Sequence, residues 1–492
     1  MPAQPEVPHN RYDRYIHMSQ APYDLAIVGS GPAGQKAALT AAQLGRRVAI
    51  IDRADSVGGV CIHTGTIPSK AIREAVLHLT GLRERSVYGD SYAVKQDITM
   101  DDLLYRARHV VRTEVDVIRS QMTRNGITLL NGSASFVDAH TLRIAREQDT
   151  TQIYAANILV AVGTEPARPA NVPFTPGHVI DSTELLQLTD LPKSLIIVGG
   201  GVIGTEYACM LAAVGVEVTL VESRPRLLEF LDDEIAENLQ FRLRDMGIRL
   251  RLGESVAKIE IDGDTVEATL ASNKSVRGRM LLYAIGRQGA TATLNTAAAG
   301  LTPDNRGRLK VNEWYQTDVP HIYAAGDVIG FPALAATSME QGRLAASHMF
   351  HQLTEAASPL FPYGIYTLPE ISMVGQTEQA LTQQNIPYEV GIARYREIAR
   401  GQLIGDPQGL VKLLFHPQSR RLLGVHAIGT GATELIHIGQ AVMASGMPID
   451  YFVNSVFNYP TLAECYKVAA LDGLQRSKRA AAANEEPPAL AA

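Results

Sequence analysis

Cysteine is scarce in this chain, tryptophan scarcer, and long apolar runs are missing. Three cysteines, Cys61, Cys209 and Cys465, are spread over 492 residues. That density excludes a disulfide-stapled secreted scaffold and fits a reducing compartment, the cytoplasm. No stretch reaches the roughly 18 to 20 apolar residues of a membrane span. The opening MPAQPEVPHNRYDRYIHMSQAP has no apolar core for a secretory signal. Net charge is −6, from 45 basic and 51 acidic side chains, so there is no electrostatic case for nucleic acid or an anionic membrane. No CxxC, HExxH or EF-hand spacing occurs, so no metal site is expected.

What is present is the composition of a globular protein too long for one core, so about two to four domains are expected. Residues 1–22 read as a disordered arm, with Met18 as a possible alternative start to Met1. Residues 476–492, ending AAAANEEPPALAA, read as a solvated tail.

An internal repeat organises the first half. An apolar strand from Tyr23 leads into Gly29-Ser-Gly31-Pro-Ala-Gly34, an alanine-rich helix, and a second strand ending at Asp52. The unit returns as a strand from Leu195, Gly199-Gly-Gly201-Val-Ile-Gly204, a helix, and VEVTLVE ending at Glu222. In both copies the acid lies 18 residues after the last glycine. The first glycine permits a tight turn, the second lets backbone approach a pyrophosphate, and the third lets helix and strand pack closely. The helix start offers free N–H groups to phosphate, and the acid accepts hydrogen bonds from a ribose. One such motif is weak evidence; two, each in a strand–turn–helix–strand–acid setting, point to two dinucleotides.

Two further apolar strands end in glycine, ILVAVGTEP around Gly163 and LLYAIGR around Gly286. They mark where the chain crosses between two nucleotide domains. TDVPHIYAAGD then returns it to the first and ends on an exposed acid, Asp327, suited to a hydroxyl near a ribityl chain or phosphate. The map is therefore a first nucleotide domain at 23–165 and 289–360, with a second at 166–288 inserted into it. A last domain at 361–475 opens on strand-like IYTLPEISMVG. VKLLFH and LLGVHAIG there alternate as an antiparallel sheet, followed by helices. It carries no nucleotide motif, and an interface role is its default.

With both glycine motifs, GTIPSK at 65–70, YAAGD and YPTLAE in place, the chain resembles the pyridine nucleotide–disulfide oxidoreductases over residues 23–475. The resemblance implies an α/β fold of two Rossmann-like domains, the NAD(P) domain inserted in the FAD domain, plus a C-terminal α+β dimerisation domain. It implies FAD bound at Gly29, Gly31, Gly34, Asp52, Gly58, Gly59, Cys61, Thr66, Lys70, Gly163 and Asp327. NAD(P) would be bound at Gly199, Gly201, Gly204, Glu206, Glu222, Arg224 and Gly286. Lys70 and Glu206 would form a catalytic ion pair beside the flavin, placing positive charge near the nitrogen that accepts hydride. A homodimer or larger homo-oligomer is implied.

Two departures decide the expected chemistry. Disulfide-reducing members carry two cysteines where this chain has Cys61 and Thr66, and HPTxxE where it has Tyr459-Pro-Thr-Leu-Ala-Glu464. A threonine hydroxyl forms no disulfide, and tyrosine replaces the histidine base. Both halves of one mechanism are gone together. A single cysteine with GTIPSK, and FNYPT near the end, is similar to the transhydrogenase branch of the family. The expected activity is thus FAD-dependent hydride transfer between NADPH and NAD⁺, with NAD(H) and NADP(H) as substrates. The alternative is an NAD(P)H:quinone or dye reductase (diaphorase) using the vacated disulfide side. A redox sensor without turnover is the reading from another class.

Individual residues carry rival readings. Cys61 is either a reactive thiol or a relic beside the flavin, and His63 either chemical or a packing residue. Cys209 and Cys465 read as core. Tyr459 is expected to cap the old disulfide pocket or simply to fill space. Glu222 favours NAD, yet Arg224 and Arg226 follow and suit a 2′-phosphate. They are either a solvated cluster or one site for both nucleotides, with an acid that turns away.

Overall fold

The computed structural model describes residues 23–147, 149–352 and 360–485, with side chains to 479. The expected N-terminal arm, with Met1 and Met18, lies outside them. The described residues form two compact units: 23–62, 114–165 and 288–352 in the first, and 63–113, 166–287 and 360–485 in the second.

In the first unit, strands Thr128–Asn131, Val48–Asp52, Tyr23–Val28, the second half of Asp149–Val160, and Ile322–Ala324 run parallel in that order. Leu25, Ala26, Ile27, Ile50 and Ile51 are almost wholly buried, as the continuous apolar runs of a parallel sheet require. The long strand Asp149–Val160 also joins a second sheet system: residues 149–154 pair antiparallel with Thr141–Arg146, which pairs with Ser133–Phe136. Helix Pro32–Gln43 packs on helix Ala335–Met349, where a β-carbon on Gly342 would stand 2.0 Å from the Ala33 carbonyl oxygen.

The second unit repeats the pattern. Arg249–Leu252, Glu217–Glu222, Ser194–Val198, Met280–Tyr283 and Val179–Ile180 form a five-stranded parallel sheet. A three-stranded antiparallel sheet, Val256–Asp262, Thr265–Leu270 and Ser275–Gly278, accompanies it. The last segment builds an antiparallel sheet ordered Tyr363–Ile365, Ile371–Gly375, Leu422–Ile428, Leu410–Phe415, Glu389–Arg394. Helix Glu464–Glu485 lies on its edge strand, where a β-carbon on Gly391 would meet the Ala469 carbonyl at 2.0 Å. The fold is the expected α/β architecture with two Rossmann-like sheets and an α+β end.

Two boundaries differ from the linear reading. Residues 63–113, assigned by sequence order to 23–165, pack in the second unit. Helix Thr66–Thr80 buries Ile72, Ala75 and Val76 in one core with Tyr207, Cys209 and Leu211, and that burial outweighs proximity in sequence. The expected tail begins as helix: Glu464–Glu485 runs past residue 476, because its alanine-rich end has high helix propensity. Residues 486–492 lie outside the described chain.

A buried charge cluster ties the parallel-sheet part of the second unit to its antiparallel part. Lys412, 1% exposed, donates to Asp232 Oδ1 at 2.7 Å and pairs with Glu234 at 3.2 Å and with Glu378. Asp232 also caps helix Asp233–Asp245 through the Glu234 N–H. His426 is the cross-strand partner of Lys412; its Nε2 meets the Gln376 carbonyl at 2.9 Å and its Nδ1 has no partner. Lys412→Met leaves the buried Asp232 carboxylate without its cation. We expect it to cost about 3–5 kcal/mol, seen as a lower Tm; an unchanged Tm refutes that weight for the cluster.

Burial first of all holds His426 below its ordinary 6.5, against the pull of Asp232. The unfolded chain therefore binds that proton more readily, so stability is present above the ordinary value and is lost as pH falls below it. Tm should drop on acidification from about pH 7 to about pH 5, and less steeply in His426→Asn. Parallel curves for both proteins would remove His426 from the effect.

Candidate active site

The first glycine loop is built by contacts that exclude side chains. Gly29 has φ +107°, and a β-carbon there would meet the Ala161 carbonyl at 2.3 Å. A β-carbon on Gly34 would stand 2.0 Å from the Gly29 carbonyl oxygen, so helix and turn touch through backbone. Gly31, at the helix N-cap, faces open space instead. Asp52 accepts from the Ser30 N–H at 2.8 Å, the Ser30 hydroxyl at 2.6 Å and the Ala54 N–H at 2.9 Å. The Ser30 hydroxyl in turn accepts from the Gly58 N–H at 2.9 Å. A β-carbon on Gly59 would lie 2.9 Å from the Gly31 α-carbon. Ser30 thus laces the loop, the acid and the Gly58–Gly59 turn together, a role its sequence position did not signal.

Gly163 has φ +67° and open space at its β-position. Its carbonyl accepts from Ala290 N–H at 3.1 Å. Asp327 is half-buried rather than exposed, because it opens a short 3₁₀ turn after a fully buried strand. Its carboxylate accepts from the Thr164 hydroxyl at 3.3 Å.

The second loop copies the first. Gly199 has φ +111°, Gly201 faces open space, and a β-carbon on Gly204 would again lie 2.0 Å from the Gly199 carbonyl. Gly286 is left-handed and open, and its carbonyl accepts from Ala167 N–H at 3.3 Å. Glu222 is buried and accepts from Gly200 N–H at 2.6 Å and Arg224 N–H at 2.9 Å. The Arg224 guanidinium adds a fork, 2.9 Å to one oxygen and 3.1 Å to the other. Burial pushes the Glu222 carboxyl up, but the Arg224 side chain and the backbone N–H groups bring it down to about 2. In this structure the acid is held by backbone N–H groups and Arg224 and is not turned away. Arg224, its side chain 43% exposed, is the more accessible partner of the pair. Arg226 pairs with Asp233 at the next helix.

Glu206 sits two residues past Gly204 on helix Val202–Ala213, its side chain 5% exposed. Lys70 Nζ, from helix Thr66–Thr80, donates to both carboxylate oxygens at 3.0 and 2.9 Å. The structure brings together this expected pair across 136 residues of sequence. Tyr366 N–H donates to Glu206 Oε1 at 2.9 Å, a partner sequence reading missed. So was Arg73, one turn past Lys70, which is buried and reaches the Thr367 carbonyl at 3.1 Å and Glu370 at 3.2 Å. Its i+3 spacing from Lys70 was the available signal.

Residues 23–342 match the family described as pyridine nucleotide-disulphide oxidoreductase, and 361–470 match its dimerisation domain. The chain belongs to the pyridine nucleotide-disulphide oxidoreductase family. It is an FAD-dependent oxidoreductase. Among similar proteins is the soluble pyridine nucleotide transhydrogenase of Mycobacterium bovis (strain BCG / Pasteur 1173P2), 52% identical over 93% of this chain and 98% of that one. The protein of the same name from Colwellia psychrerythraea is 45% identical, over 92% and 98%. Similar solved structures include the HOCl-induced flavoprotein disulfide reductase RclA from Escherichia coli, with TM-score 0.83, 28% identity, and 91% and 99% coverage. LpdA from Mycobacterium tuberculosis has TM-score 0.85, 25% identity, and 91% and 98% coverage.

Within this family the redox position of the chain is half empty. Cys61 is a half-buried cysteine outside any disulfide, in the short helix Gly59–His63, and Thr66 opens the next helix. Cys209 and Cys465 are fully buried, and burial first pushes both thiols up to about 12. Tyr459 is 73% exposed, so within its own chain it neither caps a pocket nor fills space. It lies in the irregular segment before the last helix, which leaves it facing outward. Asp232, Glu234 and Glu378 could hold a cation by geometry, but the Lys412 ammonium already sits among them. No helix among the described residues is long and apolar enough to cross a membrane.

The first loop passes a test of fit for a flavin dinucleotide. The one glycine whose β-position is open lies at a helix start, where a diphosphate needs room and free N–H groups. Gly31→Ala should leave the fold and Tm unchanged but weaken FAD by about tenfold or more in a fluorescence titration. Gly34→Ala should instead destabilise the protein, since its new carbon meets backbone. Equal FAD affinity in Gly31→Ala and the parent would exclude the loop as the diphosphate cradle.

Proposed function

We propose that this protein transfers hydride from NADPH to NAD⁺, giving NADP⁺ and NADH, in a ping-pong reaction with FAD and one nicotinamide site. One observation carries the reading: the Lys70–Glu206 pair is intact, while Thr66 and Tyr459 occupy the positions of the second cysteine and the histidine base. The machinery for nicotinamide is kept and that for sulfur is lost. Relatives at 44–52% identity named as soluble pyridine nucleotide transhydrogenases support it.

FAD, when bound, supplies the centre that takes the hydride from one nicotinamide and returns it to another. Gly29, Gly31, Gly34, Asp52, Gly58, Gly59, Cys61, Thr66, Gly163 and Asp327 are the residues proposed to hold it. Gly199, Gly201, Gly204, Glu222, Arg224 and Gly286 take the nicotinamide dinucleotides. Lys70 would hold positive charge beside the reacting rings, and Glu206 keeps that ammonium aimed. No side chain need carry a proton, because hydride moves without one. Glu222, fixed by backbone N–H groups, receives ribose hydroxyls of NAD(H). Arg224 leaves its fork on Glu222 to meet the 2′-phosphate of NADP(H). A homodimer through the last domain would cover the exposed Val456 and Tyr459. The cytoplasm is the proposed setting.

The direct test is transfer from NADPH to an NAD⁺ analogue of shifted absorbance, with lipoamide, glutathione disulfide and a quinone in parallel. Transfer to the analogue with inert disulfides is expected. Fast quinone reduction with negligible transfer would sink the proposal and favour the diaphorase reading.

Glu206→Ala should slow flavin reduction by NADPH about tenfold to a hundredfold in stopped flow, with a smaller change in nucleotide Kd. An unchanged rate would remove the pair from the chemistry. Arg224→Leu should raise KM for NADPH about tenfold while leaving KM for NADH within about twofold. Equal shifts for both would show that Arg224 does not read the phosphate.

A further inference from the structure

The Lys70–Glu206 pair does not stand by itself. Glu206 is buried, and a buried carboxylate with one cationic partner still has lone pairs to satisfy. The Tyr366 N–H supplies the third bond, at 2.9 Å. Lys70 has three N–H donors; two reach Glu206, and the remaining short contact is 3.3 Å to the Ser69 hydroxyl. The Tyr366 ring covers the ammonium, with Nζ 4.9 Å from its centroid. The Arg73 guanidinium carbon lies 6.0 Å from the same centroid.

That ring is held in place. Its side chain hydrogen-bonds Thr433, and it stands against Gly364, where a β-carbon would come within 3.4 Å of it. Tyr366 directly follows strand Tyr363–Ile365 of the antiparallel sheet, so the last segment of the chain reaches the pair at this residue. An aromatic face attracts a cation and keeps water from it, and the attraction strengthens as the site dries.

We propose that Tyr366 is a positioning residue for hydride transfer: its N–H fixes the Glu206 carboxylate, and its ring face holds the Lys70 ammonium in register with that carboxylate. The inference rests on the role given above to Lys70 and Glu206. The ring is the part that substitution can remove, since every replacement except proline keeps the N–H.

Two variants separate the ring from its hydroxyl. Tyr366→Leu removes the face; Tyr366→Phe keeps it. In the apoprotein, acetylation of Lys70 by acetic anhydride, followed by mass spectrometry, should quicken about threefold to tenfold in Tyr366→Leu. It should stay at the parent rate in Tyr366→Phe. In the holoprotein, Tyr366→Leu should lower kcat by about the same factor with KM for NADPH within about twofold, and move the flavin midpoint potential negative. Tyr366→Phe should restore both. If Tyr366→Leu is not recovered folded, Tyr366→Met, unbranched and adaptable, takes its place with the same expectations. Parent-like labelling, kcat and potential in the ring-less variant would overturn the proposal, as would a Phe variant that behaves like Leu. Quicker labelling with unaltered kcat and potential would also overturn it. The labelling arm reports the hold on Lys70 even if Glu206→Ala shows the pair idle, so the two failures are distinguishable.

Discussion

In both nucleotide loops, backbone takes the place where a side chain would stand. The Gly29 carbonyl is 2.0 Å from any β-carbon on Gly34, and the Gly199 carbonyl is as near to Gly204. A helix can approach its strand so closely only where both partners are bare. That approach fixes where each helix begins, and the remaining features of each loop follow. The open face at Gly31 and Gly201, the acid at the tip of the next strand, and the direction of the helix start are all consequences.

The same helix start carries the second loop's buried charge. Glu206 is placed by the helix that Gly204 allows to dock, and its burial makes its partners obligatory. Lys70, the Tyr366 N–H and the Tyr366 ring answer that need from two other segments of the chain. Arg73 and Glu370 form a second buried pair one helical turn along, where burial first of all holds the Glu370 carboxyl above its usual range. The site is a stack of mutually dependent charges, and its specificity for cation placement comes from that dependence.

Much of the fold was legible because its signals are local. Tyr23–Val28, Val48–Asp52, Ser194–Val198 and Glu217–Glu222 are apolar runs bounded by glycine and acid, and they fall within a residue or so of where the pattern puts them. VKLLFH and LLGVHAIG pair antiparallel, as their alternation implies. Boundaries set by packing were not legible. Residues 63–113 join the second unit because of what helix Thr66–Thr80 buries, and the helical reach of Glu464–Glu485 into the supposed tail depends on propensity that composition alone masked.

By itself, the sequence determined the two-loop plan, the acid at the end of each second strand, and the presence of Thr66 and Tyr459 where a second cysteine and a histidine were the alternatives. These rest on residue identity at fixed spacing, which a linear text preserves. Only the tertiary structure decided that Glu222 is held by the Arg224 fork and backbone N–H groups, that Tyr459 faces outward, and that the Tyr366 ring lies over Lys70 with Arg73 near the same ring. Those outcomes turn on burial, and burial is a property of what comes together across hundreds of residues rather than of any one of them.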